Sequence, residues 1–126
     1  MTIEERSSGT AIVLDVQGRM TIETVNDRPL VVKVRRLLQE GHRRLLLDLS
    51  GVPYLDTTGL CSIVEAYVAT RRQGGSLKLL HPNAHVRAVL ATTRLLTILQ
   101  VYDSESDAIA SFELSESLPA NTAVME

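Results

Sequence analysis

RRLLLDLSGVPYLDTTGLCSIVEAY, residues 43–67, decides the architecture. Its first half is a short continuous apolar run closed by Ser50 and Gly51, the pattern of a strand buried on both faces. Beyond a short loop, Leu60, Ile63, Val64, Tyr67 and Val68 recur at i, i+3, i+4, i+7 and i+8, which predicts a helix over 57–72 with one buried stripe. RRQGG then ends it with basic residues and two glycines. Outward from this pair the alternation repeats. SLKLLH (76–81) reads as a strand, PNAHVRAVLATT as a helix from Pro82 through about Thr92, and LTILQVY (96–102) as the last strand. SESDAIASFEL closes the series as a helix capped by Ser104.

Toward the N-terminus, TAIVLDVQG (10–18) reads as a strand entering a turn. Leu30, Val31, Val34, Leu37 and Leu38 fall at helical spacing, with Pro29 in the first turn and Gly41 as the stop. A separate short turn is expected in the residues before Pro29. Strands and helices therefore alternate after the first element, which predicts an α/β layered domain with a partly parallel sheet. The expected domain is residues 1–114; from Ser115 the chain is small and polar, and 115–126 reads as a flexible tail.

At 126 residues, 44% hydrophobic and 22% charged, the chain has the composition of one globular domain with a single core. A net charge of −2 offers no concentrated basic face for nucleic acid. Aromatics are only 3%, which excludes a base-stacking platform. The pairs Arg35–Arg36, Arg43–Arg44 and Arg71–Arg72 sit at helix ends or a strand start. The single cysteine, Cys61, excludes an internal disulfide and fits a reducing compartment. MTIEERSSGT is polar and acidic, unlike a secretory signal, and no run approaches a membrane span, so a cytoplasmic location is expected.

The chemistry-bearing stretch is LDTTGL. Asp56 is placed to cap the following helix by accepting the N–H of Thr58 or Gly59. Thr57 and Thr58 then lie in the first turn, and Gly59 supplies bare backbone that another surface can approach closely. A phosphoryl group on Thr58 would sit at the positive end of the helix, so its effect would fall on a docking partner rather than on the fold. The same residues also make a capped helix start with no further role.

RLLLDLSGVPYLDTTGLCSIVEAY, with GGSLKLLHPNAHVRAVLATTRLLTILQVYDSESDAIASF after it, resembles the STAS family of anti-sigma factor antagonists over roughly residues 10–112. The resemblance implies a mixed, mostly parallel sheet of four to five strands with helices packed against it. It implies phosphorylation of the hydroxyl residue before the glycine, here Thr58, by a kinase that doubles as an anti-sigma factor. Thr57 stands second to it, Asp56 would help position the hydroxyl, and a phosphatase would reset the switch. The implied partner surface comprises Gly18, Arg19 and Thr21 of the GRMT turn, with Tyr54, Leu55, Leu60 and Cys61. A monomer or weak homodimer without cofactor is expected. The family's targets are most often serine, although its stressosome branch also uses threonine. Cys61 stands where the family commonly has a small residue. Two other readings remain: a scaffold or accessory subunit of a stressosome or transport complex, and a nucleotide-binding or catalytic domain.

No enzyme is expected. Thr58 has no histidine near it in sequence to activate it, and no Gly-Lys-Ser/Thr loop is present to grip phosphates. His81 and His85 are separated by Pro82, which breaks the helical spacing a metal pair needs, so they read as capping or surface residues. Cys61 reads as a half-buried structural thiol, and Asp48, inside the apolar strand, as a brace for the loop after it.

Overall fold

The structure is a computed structural model that describes residues 1–25 and 29–117. Its central strands are β2 (Ala11–Gln17), β3 (Arg44–Gly51) and β4 (Ser76–Leu80), and their alternate residues are apolar on both sides. Leu14, Val16, Leu45, Leu47, Leu49, Leu77 and Leu79 face one way, while Ala11, Val13, Leu46 and Leu80 face the other. Such strands need cover on both faces. The sheet order is β1-β2-β3-β4-β5, where β1 (Thr2–Ser8) runs antiparallel to β2. The rest, through β5 (Val101–Tyr102), is parallel.

Right-handed crossovers between neighbouring parallel strands put every connecting helix on one face. The one-turn α1 (Ile22–Val25), α2 (Pro29–Gln39), α3 (Thr57–Arg72) and α4 (Ala84–Thr92) are those connections. From them Leu30, Val34, Ile63, Ala66, Val86 and Leu90 join the larger core. α5 (Glu105–Ser117) follows the last strand of the described residues and lays Ala108 and Phe112 over the second face. Lys78 is buried there: its Nζ donates to Ser111 Oγ (2.8 Å) and lies 4.6 Å from the Phe112 ring centre. Burial pushes this amine's pKa down.

The α/β sandwich and the mixed, mostly parallel five-strand sheet agree with expectation. Four details differ. β1 lies in the polar segment to which the sequence reading assigned no element, because an edge strand with both faces largely exposed carries no apolar alternation. It is tied down by Arg6, whose Nε donates to Asp15 (2.8 Å) and whose Nη2 donates to Glu105 (2.7 Å). That guanidinium and the Ser8 hydroxyl hold the Glu105 carboxyl at about 2. LTILQVY is a strand only at its end; Leu95–Thr97 form a 3-10 turn after Arg94 reverses the chain at φ 63°.

The buried stripe of α3 is also rotated from the predicted one. It runs through Gly59, Leu60, Ser62, Ile63, Ala66 and Thr70, while Val68 is exposed. Small residues let this helix lie close to its neighbours. Finally, α5 extends to Ser117, through the first residues of the expected tail; 118–126 lie outside the described residues.

Candidate functional site

The loops leaving β2 and β3 lie side by side at the carboxyl end of the parallel strands, the usual place for sites in open α/β sheets. Gly18, turned at φ +101°, donates its N–H to Gly51 C=O (2.8 Å). Met20 N–H donates to Tyr54 C=O (3.0 Å), and Asp56 N–H to Met20 C=O (3.1 Å). Met20 and Leu55 thus form a parallel bridge that extends the β2–β3 pairing up to the first turn of α3. Asp48 supports the approach as expected, its Oδ1 accepting the Ser50 N–H (2.9 Å).

Asp56 caps two helices with one carboxylate. Its Oδ1 accepts the Gly59 N–H (2.9 Å) and its Oδ2 the Ile22 N–H (3.0 Å). This fixes α1 and the Met20 loop against the start of α3. No hydrogen bond joins it to the Thr58 hydroxyl among the described residues. Gly59 has a structural reason to be glycine. A Cβ there would collide with the Met20 carbonyl oxygen and lie 2.8 Å from the carbonyl carbon. The surface that approaches its bare backbone is the protein's own Met20 loop.

Above this frame, Thr57 is exposed and Thr58 half-buried. Tyr54, 41% exposed, stacks on His85 with ring centres 4.8 Å apart, and Arg19 Cζ lies 5.1 Å from the same ring. Asn83 links the two neighbouring elements. Its Oδ1 caps α4 at Val86 N–H (2.8 Å), and its Nδ2 donates to Val52 C=O (3.1 Å). Thr21 Oγ1 donates to Glu23 (2.7 Å), and that bond holds the Glu23 carboxyl below its ordinary pKa.

Of the residues expected to meet a partner, Arg19, Tyr54 and Cys61 are exposed, the last correcting its reading as a half-buried thiol. Leu55, Leu60 and Thr21 are buried at 2%, 8% and 5% exposure. They hold the frame and cannot offer a docking surface: Leu55 and Leu60 are members of the larger core, and Thr21 is turned to Glu23. Gly18 is half-buried. Two residues of the ledge were not foreseen. Ile22, to which the sequence reading gave no role, is 58% exposed. His85 reaches Tyr54 through the packing of α4 on the 52–55 loop, a tertiary contact with no local sequence signal.

Among the described residues no cluster of His, Cys, Asp or Glu could hold a metal ion, and no helix is long and apolar enough to cross a membrane. His85 stacks on Tyr54 rather than addressing a hydroxyl. What the geometry provides is a pair of threonines on a rigid ledge, flanked by an exposed aromatic and an exposed aliphatic side chain. Exposed aromatic and aliphatic side chains of this kind are common in protein–protein contacts.

Residues 2–108 match the STAS domain model, a span that includes β1. A Thermotoga neapolitana protein named as a candidate anti-sigma factor antagonist is 36% identical over 72 residues, 57% of this chain and 64% of that one. The chain thus matches somewhat under two thirds of that relative's length. The Bordetella bronchiseptica protein BtrV, named likewise, is 28% identical over 102 residues, 81% of this chain and 86% of its own. The crystal structure of a candidate anti-sigma factor antagonist from Thermotoga maritima superposes with a TM-score of 0.76 at 24% identity, covering 88% of this chain and 94% of that one. With the family model spanning nearly the whole described chain, and the strand–loop–capped-helix ledge at its centre, this chain belongs to the STAS domain family.

Proposed function

We propose that the chain is an anti-sigma factor antagonist that works as a phosphorylation-controlled binding switch in the cytoplasm. Unphosphorylated, it captures an anti-sigma factor that is also a serine/threonine kinase, and so frees a sigma factor. Phosphorylation of Thr58 releases the partner, and a phosphatase restores capture. The observation that carries this reading is the Thr58 position itself. Its side chain is half-buried on a frame pinned from both sides by Asp56, next to exposed Tyr54 and Ile22. A phosphate there adds negative charge and bulk within the docking ledge, beside Asp56 and Glu23, without needing the frame to move. Tyr54 and Ile22 are the contacts expected to anchor the partner.

The test is phosphopeptide mass spectrometry on the protein purified from its own host, during growth and under stress, alongside Thr58→Ala. Phosphate on Thr58 that vanishes in the variant supports the switch. If phosphate sits on Thr57 alone, the site moves by one residue. If both threonines stay unmodified in every condition, the switch reading fails and the ledge is a docking surface only.

A further inference from the structure

Arginines near helix ends ordinarily serve the last carbonyls, yet those of α2 and α3 are served without Arg35 or Arg72. At the end of α2, Gly41 N–H donates to Leu38 C=O (3.1 Å) and His42 N–H to Leu37 C=O (3.0 Å), and Arg43 Nη1 adds a bond to Leu38 C=O (2.7 Å). At the end of α3, Gly74 N–H donates to Arg71 C=O (3.0 Å) and Gly75 N–H to Thr70 C=O (2.9 Å). Arg35 and Arg72 are both exposed, and neither has a hydrogen bond or ion pair among the described residues. Their cationic neighbours on α2 differ: Lys33 and Arg36 pair with Glu5, and Arg36 also with Glu40.

The two side chains line one groove from its two walls, Arg35 on α2 and Arg72 on α3. The groove holds about 320 Å³ over Leu38 and Ala69, and no carboxylate is among its lining residues. It continues along α3 into a hollow of about 210 Å³ beside Val64 and Val68. Glu65 lies at that far end, two helical turns and about 10 Å from Arg72 along the axis. Two like charges sharing a groove repel, and an anion held between them removes that cost. The site is therefore cationic at one end and aliphatic beyond it, with an acid that turns a second anion away. We propose that this groove binds a small free amphiphilic anion, its carboxylate or phosphate head held by Arg35 and Arg72 and its short aliphatic chain laid over Leu38, Ala69 and Val68. Either head accepts paired bonds from a guanidinium. The volume sits at the lower end of the roughly 300–1,000 Å³ usual for small-molecule sites, which keeps the chain short. Leu38, only 4% exposed, forms the floor between two helices, where a flat lipid surface cannot reach it. The groove is at the opposite end of α3 from Thr58 and does not depend on the switch proposed above.

The test is an amide NMR titration of the full chain with octyl phosphate and with octanoate, both kept monomeric. The amides of Gln39, Ala69 and Gln73 should shift, with a Kd on the order of 1 mM for so small a ligand. The double variant Arg35→Gln, Arg72→Gln keeps good helix formers at exposed positions and should weaken binding about tenfold or more. Arg36→Gln removes the same charge from the same helix outside the groove, and should change binding by less than about twofold. The inference is overturned if none of these amides shifts at about 5 mM ligand. It is equally overturned if the double variant binds as well as the wild type, or if Arg36→Gln weakens binding as much as the double variant does. Inorganic phosphate that binds as tightly as octyl phosphate overturns the amphiphilic class, since the chain would then contribute nothing. Cosedimentation with phosphatidylglycerol vesicles that is lost in the double variant overturns the free source and assigns the head to a membrane surface.

Discussion

Gly59→Ala sets two opposing effects against each other at the centre of the ledge. Helix propensity alone favours alanine over glycine by up to about 1 kcal/mol. The structure opposes it with a backbone collision. The new Cβ would meet the Met20 carbonyl oxygen, lie 2.8 Å from its carbon, and lie 2.9 Å from Leu55 Cδ1. Ordinary carbon contacts need about 3.5–4.0 Å, so the Met20 loop must retreat by about 1 Å. That movement stretches the bonds from Met20 N–H to Tyr54 and from Asp56 N–H to Met20, now 3.0 and 3.1 Å. Each is worth about 1 kcal/mol, and overpacking adds about 1–3 kcal/mol. The net expectation is a loss of about 2–4 kcal/mol, or about 10 °C in Tm for a chain of this size. Urea denaturation followed by circular dichroism measures it, with an unchanged m-value. Gly74→Ala is the comparison: its φ is +78° but open space surrounds it, so only about 1 kcal/mol of backbone strain is expected. A neutral or stabilised Gly59→Ala would show that the Met20 loop is not held against α3, and the ledge would lose its frame.

Three further changes probe the same fold. Asp56→Ala should cost about 2–3 kcal/mol in urea denaturation, since it uncaps two helices at once, and Asp56→Asn, with a single acceptor oxygen, about half as much; equal losses would mean that only one cap matters. Ser62→Ala should be neutral or stabilising by up to about 1 kcal/mol, because the buried Ser62 hydroxyl has no partner among the described residues; a clear loss would reveal a hidden one. Glu105→Gln should destabilise by about 1 kcal/mol at pH 7, the shift being discounted because about a third of the carboxylate is exposed. The folded pKa, about 2, lies below the ordinary 4.5, so this stabilisation is complete above about 4.5 and fades as pH falls toward 2. Variant and wild type should therefore converge in acid, and a gap that persists at pH 2 would count against the Arg6 pairing as its source.

How far the sequence could be read depended on whether burial or backbone pairing made each element. β3 was legible because five successive residues, Leu45–Leu49, are buried and four of them are leucine. β1 was not, because it is held by a backbone ladder and by Arg6, neither of which imposes a hydrophobic period. LTILQVY misled for the converse reason. Its apolar residues suggested pairing, yet Leu96 and Ile98 are exposed and only Val101 and Tyr102 join the sheet. Within the site, the Asp56 cap and the need for glycine at 59 could be read locally, since both act over a few residues. The partner of each could not: Asp56 also caps Ile22, and Gly59 makes room for Met20, contacts that exist only once two parallel strands bring their exit loops together.

The rigidity of that junction also determines where a charge on Thr58 is felt. The first turn of α3 already uses Asp56 twice, through its side chain to Gly59 N–H and its carbonyl to Leu60 N–H. The amides of Thr57 and Thr58 remain at the positive end of a 16-residue helix. An anion on the Thr58 side chain is favoured there by about 0.3–1 kcal/mol, which offsets the repulsion from Asp56 and Glu23 across solvent-screened distances. Thr58→Glu should then shift folding stability by no more than about 0.5 kcal/mol, while Thr58→Ala does the same without charge. If the glutamate variant instead loses about 2 kcal/mol or more in urea denaturation, phosphorylation would act by loosening the frame. A stable variant that no longer captures its partner places the effect at the proposed docking surface around Tyr54 and Ile22.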